Sequence, residues 1–416
     1  MSQKIEEIRN YCLNCKIRPC QNKGCPLGNN IPDFMHEEDS KKAFEILCNT
    51  TVLPAICGRI CPHEKQCQGS CIRGIKGEPV SIGEAEKTIG DIALENNYKI
   101  PKKGDKIKGK KVAVIGGGPA GLNCASTLAR EGANVTIYDK HEKLGGILEH
   151  GIPEFRLEKD ILDKTISKIL ELGIEVRNNT ELGKDITISQ ITKEFDAVFI
   201  GIGANISTKM GIEGENLDGV YGGNELLEYK EYPDFTGKTV IISGGGNVAM
   251  DASRTIKKLG AKDVYVIYRR AEEQMPAEKK EISDAKCEGV KFLFQTNILK
   301  ILPDNSGKVS QIECIKTELV HKEGDSRPSP VNIAGSNFTI DSDYVVMCIG
   351  AKAEDNIIKD FERNKWGYID VDENMETSLE KVFAGGDIVG EKKTVAWAAR
   401  SGRNAAEKII EYLVKD

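Results

Sequence analysis

No apolar run in the chain approaches the roughly 18 residues that a membrane-spanning helix needs. The first residues, MSQKIEEIRNYC, carry charge where a secretory signal would carry an apolar stretch. A broad basic excess is also missing: the net charge is -6 and the pI is near 5.7, which argues against nucleic acid as a partner. The densest basic stretch, Lys102 to Lys111, is interrupted by Asp105 and two glycines and reads as a solvated linker. These absences predict a cytoplasmic protein with no membrane segment, whose thiols stay reduced rather than paired as disulfides.

Cysteine is scarce in one place and dense in another. Nine of the 13 cysteines lie at or before Cys71; Cys124, Cys287, Cys314 and Cys348 are isolated. After residue 111 no two cysteines stand at the C-x-x-C or C-x₄-C spacing that a disulfide reductase needs. Residues 1 to about 100 are therefore a separate module. The stretch KIPKKGDKIKGKK (99–111) reads as the linker that follows it.

Beyond the linker, strand and helix signals alternate. KVAVIG (111–116), VTIYD (135–139), DAVFIGIG (196–203), VYVIYRR (264–270) and DYVVMCIG (343–350) read as strands, and 157–173 as an amphipathic helix. Such alternation predicts parallel sheets covered by helices.

Two glycine motifs stand at strand-to-helix turns. In GGGPAG, Gly116 permits the tight turn, Gly118 lets a pyrophosphate approach the backbone, and Gly121 lets helix and strand pack closely. Pro119 and Ala120 open the helix, whose N-terminus attracts phosphate charge. Asp139 ends the next strand about 20 residues on, where a carboxylate can accept from ribose hydroxyls. In GGGNVA, Gly244, Gly246 and Ala249 repeat the pattern around Asn247 and Val248. Here Arg269 stands in place of the acid. An arginine fork suits a 2′-phosphate, so Arg269 and Arg270 point to NADPH, with NADH as the alternative; the other reading has both arginines simply facing solvent. The first motif suits FAD. Near the C-terminus, FAGGD followed by a helix from Thr394 places Gly386 and Asp387 to meet a ribityl chain. Lys140, Gly146 and Arg156 join the flavin set; the loop His150 to Arg156 either lines the flavin edge or is structural. This pattern resembles the two-dinucleotide-binding flavoproteins, in which an NADPH domain is inserted into an FAD domain.

The cysteine spacings are x2, x4, x4 from Cys12 to Cys25 and x3, x5, x3 from Cys57 to Cys71, with proline after Cys25 and Cys61. Zinc knuckles favour paired C-x₂₋₄-C units. Interleaved ligands and Cys-Pro endings are habits of iron–sulfur sites. CLNCKIRPCQNKGCPLGNNIP, LPAICGRICPHEKQCQGSC, EPVSIGEAE, HGIPEFRL, GGGNVAMD and AGGDIV together resemble the glutamate synthase small-subunit family. Its N-terminal two-cluster domain is shared by dihydropyrimidine dehydrogenase and by NADH-dependent ferredoxin:NADP oxidoreductase.

That resemblance implies an α/β fold: two Rossmann-like domains, the NADPH domain (236–340) inserted in the FAD domain (111–235 and 341–416), preceded by a mainly α-helical iron–sulfur domain (1–100). It implies FAD, NADPH and two [4Fe–4S] clusters. Cys12, Cys15, Cys20 and Cys71 would hold the first cluster. Cys25, Cys61 and Cys67 would hold the second, with Glu86 as fourth ligand and Cys57 as its competitor. This chain has four residues between Cys20 and Cys25 where relatives often have three. The implied activity is an electron-input subunit in a hetero-oligomer: hydride from NADPH to FAD, then single electrons through the clusters to a large glutamate synthase-like subunit or to ferredoxin. The alternatives are the flavin–cluster subunit of a dihydropyrimidine dehydrogenase or of a ferredoxin-linked oxidoreductase, and a non-catalytic zinc protein.

Overall fold

The computed structural model describes residues 3–321 and 327–415. Five helices open the chain: α1 Gln3–Tyr11, α2 Ile31–His36, α3 Ser40–Leu47, α4 Pro54–Ile60 and α5 Ile82–Glu95. Asp39 caps α3 by accepting from the Lys41 and Lys42 amides, and Pro54 starts α4, where a missing N–H costs nothing. Helices α4 and α5 cross at glycines. A Cβ on Gly58 would lie 2.3 Å from the Lys87 nitrogen, and one on Gly90 would lie 2.4 Å from the Ala55 nitrogen.

The expected linker departs from its reading. Its lysines reach solvent, but Ile100 and Ile107 are buried. The amides of Lys103 and Gly104 donate to the Arg130 carbonyl at 2.9 and 3.1 Å, and that of Ile107 donates to Glu131 at 3.1 Å. Two isoleucines in a string of lysines and glycines are enough to lay the segment onto the protein, because each gains by leaving water.

A parallel unit follows: β1 Lys111–Ile115, α6 Pro119–Ala129, β2 Asn134–Tyr138, α7 Ile147–His150, α8 Lys159–Leu170, β3 Glu175–Arg177, α9 Ile188–Glu194 and β4 Ala197–Ile200. The chain then builds a second unit. It runs through β5 Ile206–Ser207, β6 Val220–Gly222, α10 Gly223–Tyr229, β7 Thr239–Ser243, α11 Asn247–Lys258, β8 Asp263–Tyr268, α12 Lys279–Cys287 and β9 Lys291–Phe294. It continues with β10 Thr296–Pro303, β11 Val309–Val320, β12 Ser329–Asn332, β13 Phe338–Asp341, β14 Tyr344–Met347 and β15 Ala351–Lys352. Strand β16 Val382–Ala384 and helix α13 Val395–Lys415 return to the first unit.

The first sheet has the order β16-β4-β1-β2-β3 and the second the order β6-β14-β7-β8-β9; both are parallel. Strands β10 to β13 form an antiparallel layer, and β5 pairs with β15. One compact unit takes the residues up to Ala204 and from Ala353; the other is Asn205–Lys352. The inserted unit is thus wider than 236–340. DYVVMCIG, expected in the flavin domain, is β14, with Val345 opposite both Ile241 and Val220. A buried parallel strand is apolar on both faces in either sheet, so its composition does not say which one it joins.

The cysteine module and the first sheet share one core. Phe34, Leu53, Ile82 and Ile89 belong to the same apolar cluster as Leu122, Leu128, Phe199 and Phe383.

Candidate functional site

Between β1 and α6 the chain turns at Gly116, whose φ is +99°. A Cβ there would lie 2.6 Å from the Gly201 carbonyl oxygen, so only glycine fits. A Cβ on Gly121 would lie 1.8 Å from the Gly116 oxygen, which is the close helix–strand approach expected of the third glycine. Gly118 is different: a Cβ there would meet nothing nearer than the Gly146 Cα at 3.8 Å. The Gly118 backbone is thus an open cradle, with Gly146 packed close beside it: a Cβ on Gly146 would lie 2.9 Å from the Gly118 Cα. Helix α6 starts from Gly118 with Pro119 in its first turn and no side-chain cap, so its leading N–H groups face that cradle uncapped. Ala120 and its turn pack against Gly386 and Gly402 of the C-terminal segment. These are the features a dinucleotide pyrophosphate requires.

Asp139 is buried at the end of β2. Its Oδ2 accepts from the Gly117 amide at 2.7 Å and its Oδ1 from the His141 amide at 2.9 Å. The carboxylate thus braces the glycine turn itself, and each oxygen keeps a second lone pair for a ribose hydroxyl. Lys140 beside it is half-buried. The rings of His141 and His150 stack with centroids 3.9 Å apart. The segment from α7 to Arg156 is pinned by Lys159, whose Nζ donates to the Leu148 and Ile152 carbonyls at 2.6 Å each. Arg156 is half-buried within that segment.

At the C-terminal turn Gly386 has φ +82° and its amide donates to Ser401 Oγ at 2.9 Å. The neighbouring Asp387 has an Oδ1 that is sealed from solvent and makes no hydrogen bond. Burial pushes its carboxyl up to about 6. An orphaned buried carboxylate oxygen is costly unless a donor meets it, and the hydroxyls of a ribityl chain are such donors. The residues present therefore fit a flavin dinucleotide.

The second turn repeats this geometry in the other unit. Gly244 has φ +138°, and a Cβ there would lie 2.3 Å from the Cys348 oxygen. Gly246 is open, meeting only Pro276 at 4.0 Å, and starts α11 without a side-chain cap. Asn247 accepts from the Glu278 amide at 3.1 Å; Val248 is half-buried and Ala249 is buried. Just past β8, the Arg269 side chain is exposed, while Arg270 Nε donates to the Pro328 carbonyl at 2.9 Å. Sequence reading missed a third arginine: Arg327 Nη2 donates to the Tyr268 hydroxyl at 3.2 Å and to the Gln274 carbonyl. It is 59 residues from the end of β8 in sequence, so no local signal marks it.

The thiols gather in two sets. Cys12, Cys15, Cys20 and Cys71 line a single pocket with apolar walls that include Ile31, Pro32, Val80 and Ile82. Burial raises the Cys12 thiol and pushes Cys20 up to about 11. Among the described residues, no three His, Cys, Asp or Glu side chains converge on one point for a single metal ion. Soft donors spread around a pocket wall suit a multi-iron cluster.

In the second set Cys25, Cys61 and Cys67 act electrostatically on one another and on Glu86, as does Cys57. Burial pushes Cys25 up to about 12. Glu86 is buried on α5, where burial raises its carboxyl to about 8 against a 3.0 Å hydrogen bond from Asn29 Nδ2. Cys57 hydrogen-bonds to Cys61, so both candidates for the fourth ligand lie in this set. The additional residue before Cys25 is absorbed as a π-turn over Cys20–Gly24, closed by Cys25 N to Cys20 O at 2.8 Å. A Cβ on Gly24 would lie 2.8 Å from the Cys67 Cα, so this turn brings the loops of Cys25 and Cys67 together.

Each loop of the second set is tied to flavin-domain helices. Gln66 Nε2 donates to Thr394 Oγ1 at 3.3 Å, and that same hydroxyl accepts from the Trp397 amide at the start of α13. Arg400 donates to the Pro26 carbonyl at 3.1 Å, and Arg403 to Leu27 and Thr50 at 3.0 and 3.2 Å. Arg59, between Cys57 and Cys61, binds Asp91 at 2.7 Å and Glu158 at 3.0 Å. None of these links was readable from the sequence, since each joins segments at least 32 residues apart.

Comparison with known proteins agrees with this geometry. Residues 110–402 match the family described as pyridine nucleotide-disulphide oxidoreductase, and residues 2–98 match dihydropyrimidine dehydrogenase domain II, 4Fe-4S cluster. The chain is 36% identical to the Escherichia coli glutamate synthase [NADPH] small chain, over 97% of this chain and 90% of that protein. It is also 36% identical to the NADP(+)-dependent formate dehydrogenase subunit beta of Moorella thermoacetica, over 95% of this chain and 60% of that one. Mycobacterium tuberculosis FprA in complex with NADPH shares the fold, with a TM-score of 0.65 at 17% identity, covering 74% of this chain and 85% of FprA. The chain belongs to the pyridine nucleotide-disulphide oxidoreductase family, within the group of glutamate synthase small chains that join this fold to an N-terminal 4Fe-4S domain.

Proposed function

We propose that this flavin and iron–sulfur oxidoreductase is the electron-input subunit of an NADPH-dependent glutamate synthase. When bound, FAD accepts hydride from NADPH and releases electrons singly, and each [4Fe–4S] cluster carries one electron at a time. The protein's own task is to hold and orient. Gly118, Gly146 and the uncapped start of α6 would hold the flavin pyrophosphate, with Pro119, Ala120, Gly116 and Gly121 shaping the turn. Asp139, Lys140 and Arg156 would meet the rest of the nucleotide, and Gly386, Asp387 and Thr394 the ribityl and ring end. Gly244, Gly246, Asn247, Val248 and Ala249 would seat NADPH, with Arg269 and Arg270 on its 2′-phosphate. Cys12, Cys15, Cys20 and Cys71 would hold one cluster, and Cys25, Cys61, Cys67 and Glu86 the other.

One observation carries this reading. Gln66, which precedes Cys67, hydrogen-bonds to Thr394 at the head of α13. A second-set ligand loop therefore touches the residue assigned to the flavin, which supports an electron route from flavin to second set to first set. Two relatives are named as small or beta chains, which supports a multi-subunit assembly. The test combines anaerobically purified holoprotein with a glutamate synthase large subunit and follows NADPH-dependent glutamate formation from glutamine and 2-oxoglutarate. Coupled turnover is expected. NADPH bleaching of the flavin without any glutamate would reject this acceptor and leave the oxidoreductase core standing.

A further inference from the structure

We infer that the rim over the first cysteine set is the docking surface for an acidic protein that exchanges single electrons with this chain. The inference rests on the reading above that this set holds a cluster, and it adds where the partner sits and what its surface carries.

Three observations converge there. Cys12, Cys15, Cys20 and Cys71 line one pocket and are all half-exposed, whereas in the other set Cys61 and Cys67 are buried and only Cys25 is half-exposed. Large apolar side chains on the segments that carry these cysteines face water: Leu13, which lines the pocket, is 49% exposed, and Ile17 and Ile75, close in sequence to Cys15 and Cys71, are 71% and 76% exposed. Apolar side chains gathered at a half-exposed redox pocket mark an interaction site rather than ordinary surface.

The charge is one-sided. From Cys12 to Pro26 and from Cys71 to Gly77 the chain has Lys16, Arg18, Lys23, Arg73 and Lys76 and no aspartate or glutamate, in a protein of net charge -6. Asp33 neutralises Arg18 through two hydrogen bonds of 2.8 and 2.7 Å. Arg73 lies 4.4 Å over the Tyr11 ring and donates to the Tyr11 carbonyl, holding that edge of the rim. Lys16, Lys23 and Lys76 are exposed and make no ion pair among the described residues; Glu78 is the nearest acid that follows in sequence. An apolar centre with a basic rim on an acidic protein steers an acidic partner to this face and disfavours rim-to-rim pairing of two copies. Each encounter moves one electron from this chain, already reduced by NADPH, to the partner's centre, with no bond made or broken.

The test uses anaerobic holoprotein, NADPH and two probes: an acidic plant-type ferredoxin and basic cytochrome c. In Lys16→Glu/Lys76→Glu, kcat/KM for ferredoxin is expected to fall about tenfold or more at low salt, and added salt to weaken the parent likewise. Cytochrome c reduction is expected to rise in the same variant. Ile17→Ser/Ile75→Ser is expected to raise KM for ferredoxin and leave kcat alone. Flavin bleaching by NADPH and iron content stay parental in both variants. Ferredoxin rates indifferent to both variants and to salt would overturn the proposal. So would a parent that neither reduces ferredoxin nor takes electrons from chemically reduced ferredoxin, although NADPH reduces its flavin and iron. A parental dimer lost in Ile17→Ser/Ile75→Ser would make the face a self-contact and also overturn it. If NADPH leaves the iron of the parent oxidised, the underlying function fails instead, and that result is distinct from all of these.

Discussion

Asp387 shows what a single residue contributes. Its sealed Oδ1 has no donor, and burial holds its carboxyl up at about 6. The ordinary carboxyl value is near 4, so between those two values the folded, flavin-stripped protein binds more protons than the unfolded chain. Its stability therefore falls as pH rises through that window, and the full cost stands above it. Asp387→Asn removes the charge. The flavin-stripped variant is expected to be more stable than the parent at pH 7.5, with an advantage larger by about 1 kcal/mol than at pH 5. FAD affinity is expected to fall by about tenfold, since a charge-assisted hydrogen bond is lost. Thermal unfolding at the two pH values and flavin titration check both; an advantage that does not change with pH would show that the carboxyl ionises freely. The sequence already marked Asp387, because Gly-Gly-Asp before a helix has few other uses. It gave no hint that Asp139 spends an acceptor on the Gly117 amide.

Among the elements, the pairing of α4 with α5 sets the second cysteine set. Helix α4 leads from Cys57 to Cys61 and α5 carries Glu86, and they touch because Gly58 and Gly90 have no side chains. In Gly58→Val the new atoms would overlap the α5 backbone at Lys87 and Gly83 and wedge the helices apart. The expected outcome is a loss of about 1–3 kcal/mol in stability and of roughly half the iron, because the cluster proposed on the second set would lose its Glu86 side. Flavin content is expected to stay parental. Iron and flavin analysis of the anaerobic protein reads this directly, and full iron would mean that Glu86 is not needed as a ligand.

For the molecule as a whole, the decisive fact is the shared core between the cysteine module and the first sheet. Polar ties reinforce it at Gln66, Arg59, Arg400 and Arg403. Arg403→Met leaves the Leu27 and Thr50 carbonyls without this donor, at a cost of about 1–3 kcal/mol for each one that stays buried. The variant is expected to bleach its flavin with NADPH at the parental rate and to reduce its iron several times more slowly. Stopped-flow absorbance separates the two phases; equal slowing of both would point to a general loss of fold instead. Among the described residues no helix is long and apolar enough to cross a membrane.

Cofactor type was legible from local spacing. A glycine turn, a cysteine ladder and an acid or arginine at a strand end act through neighbours in sequence, so their chemistry is written where they stand. The resemblance carried by these motifs extended the reading to both thiol sets and to Glu86. Assignment to one sheet or another was not legible, and β14 is the instance: a strand buried on both faces looks alike in every sheet, and only packing chose its neighbours. Nor were the ties from Arg327, Gln66 and Arg403, or the seating of Ile107, since a side chain's partner across dozens of residues depends on how the core closes. The sequence by itself determined which groups this protein can hold. The tertiary structure alone decided that the second thiol set abuts the flavin-side helices while the first set meets water, because burial and distance exist only once the chain is folded.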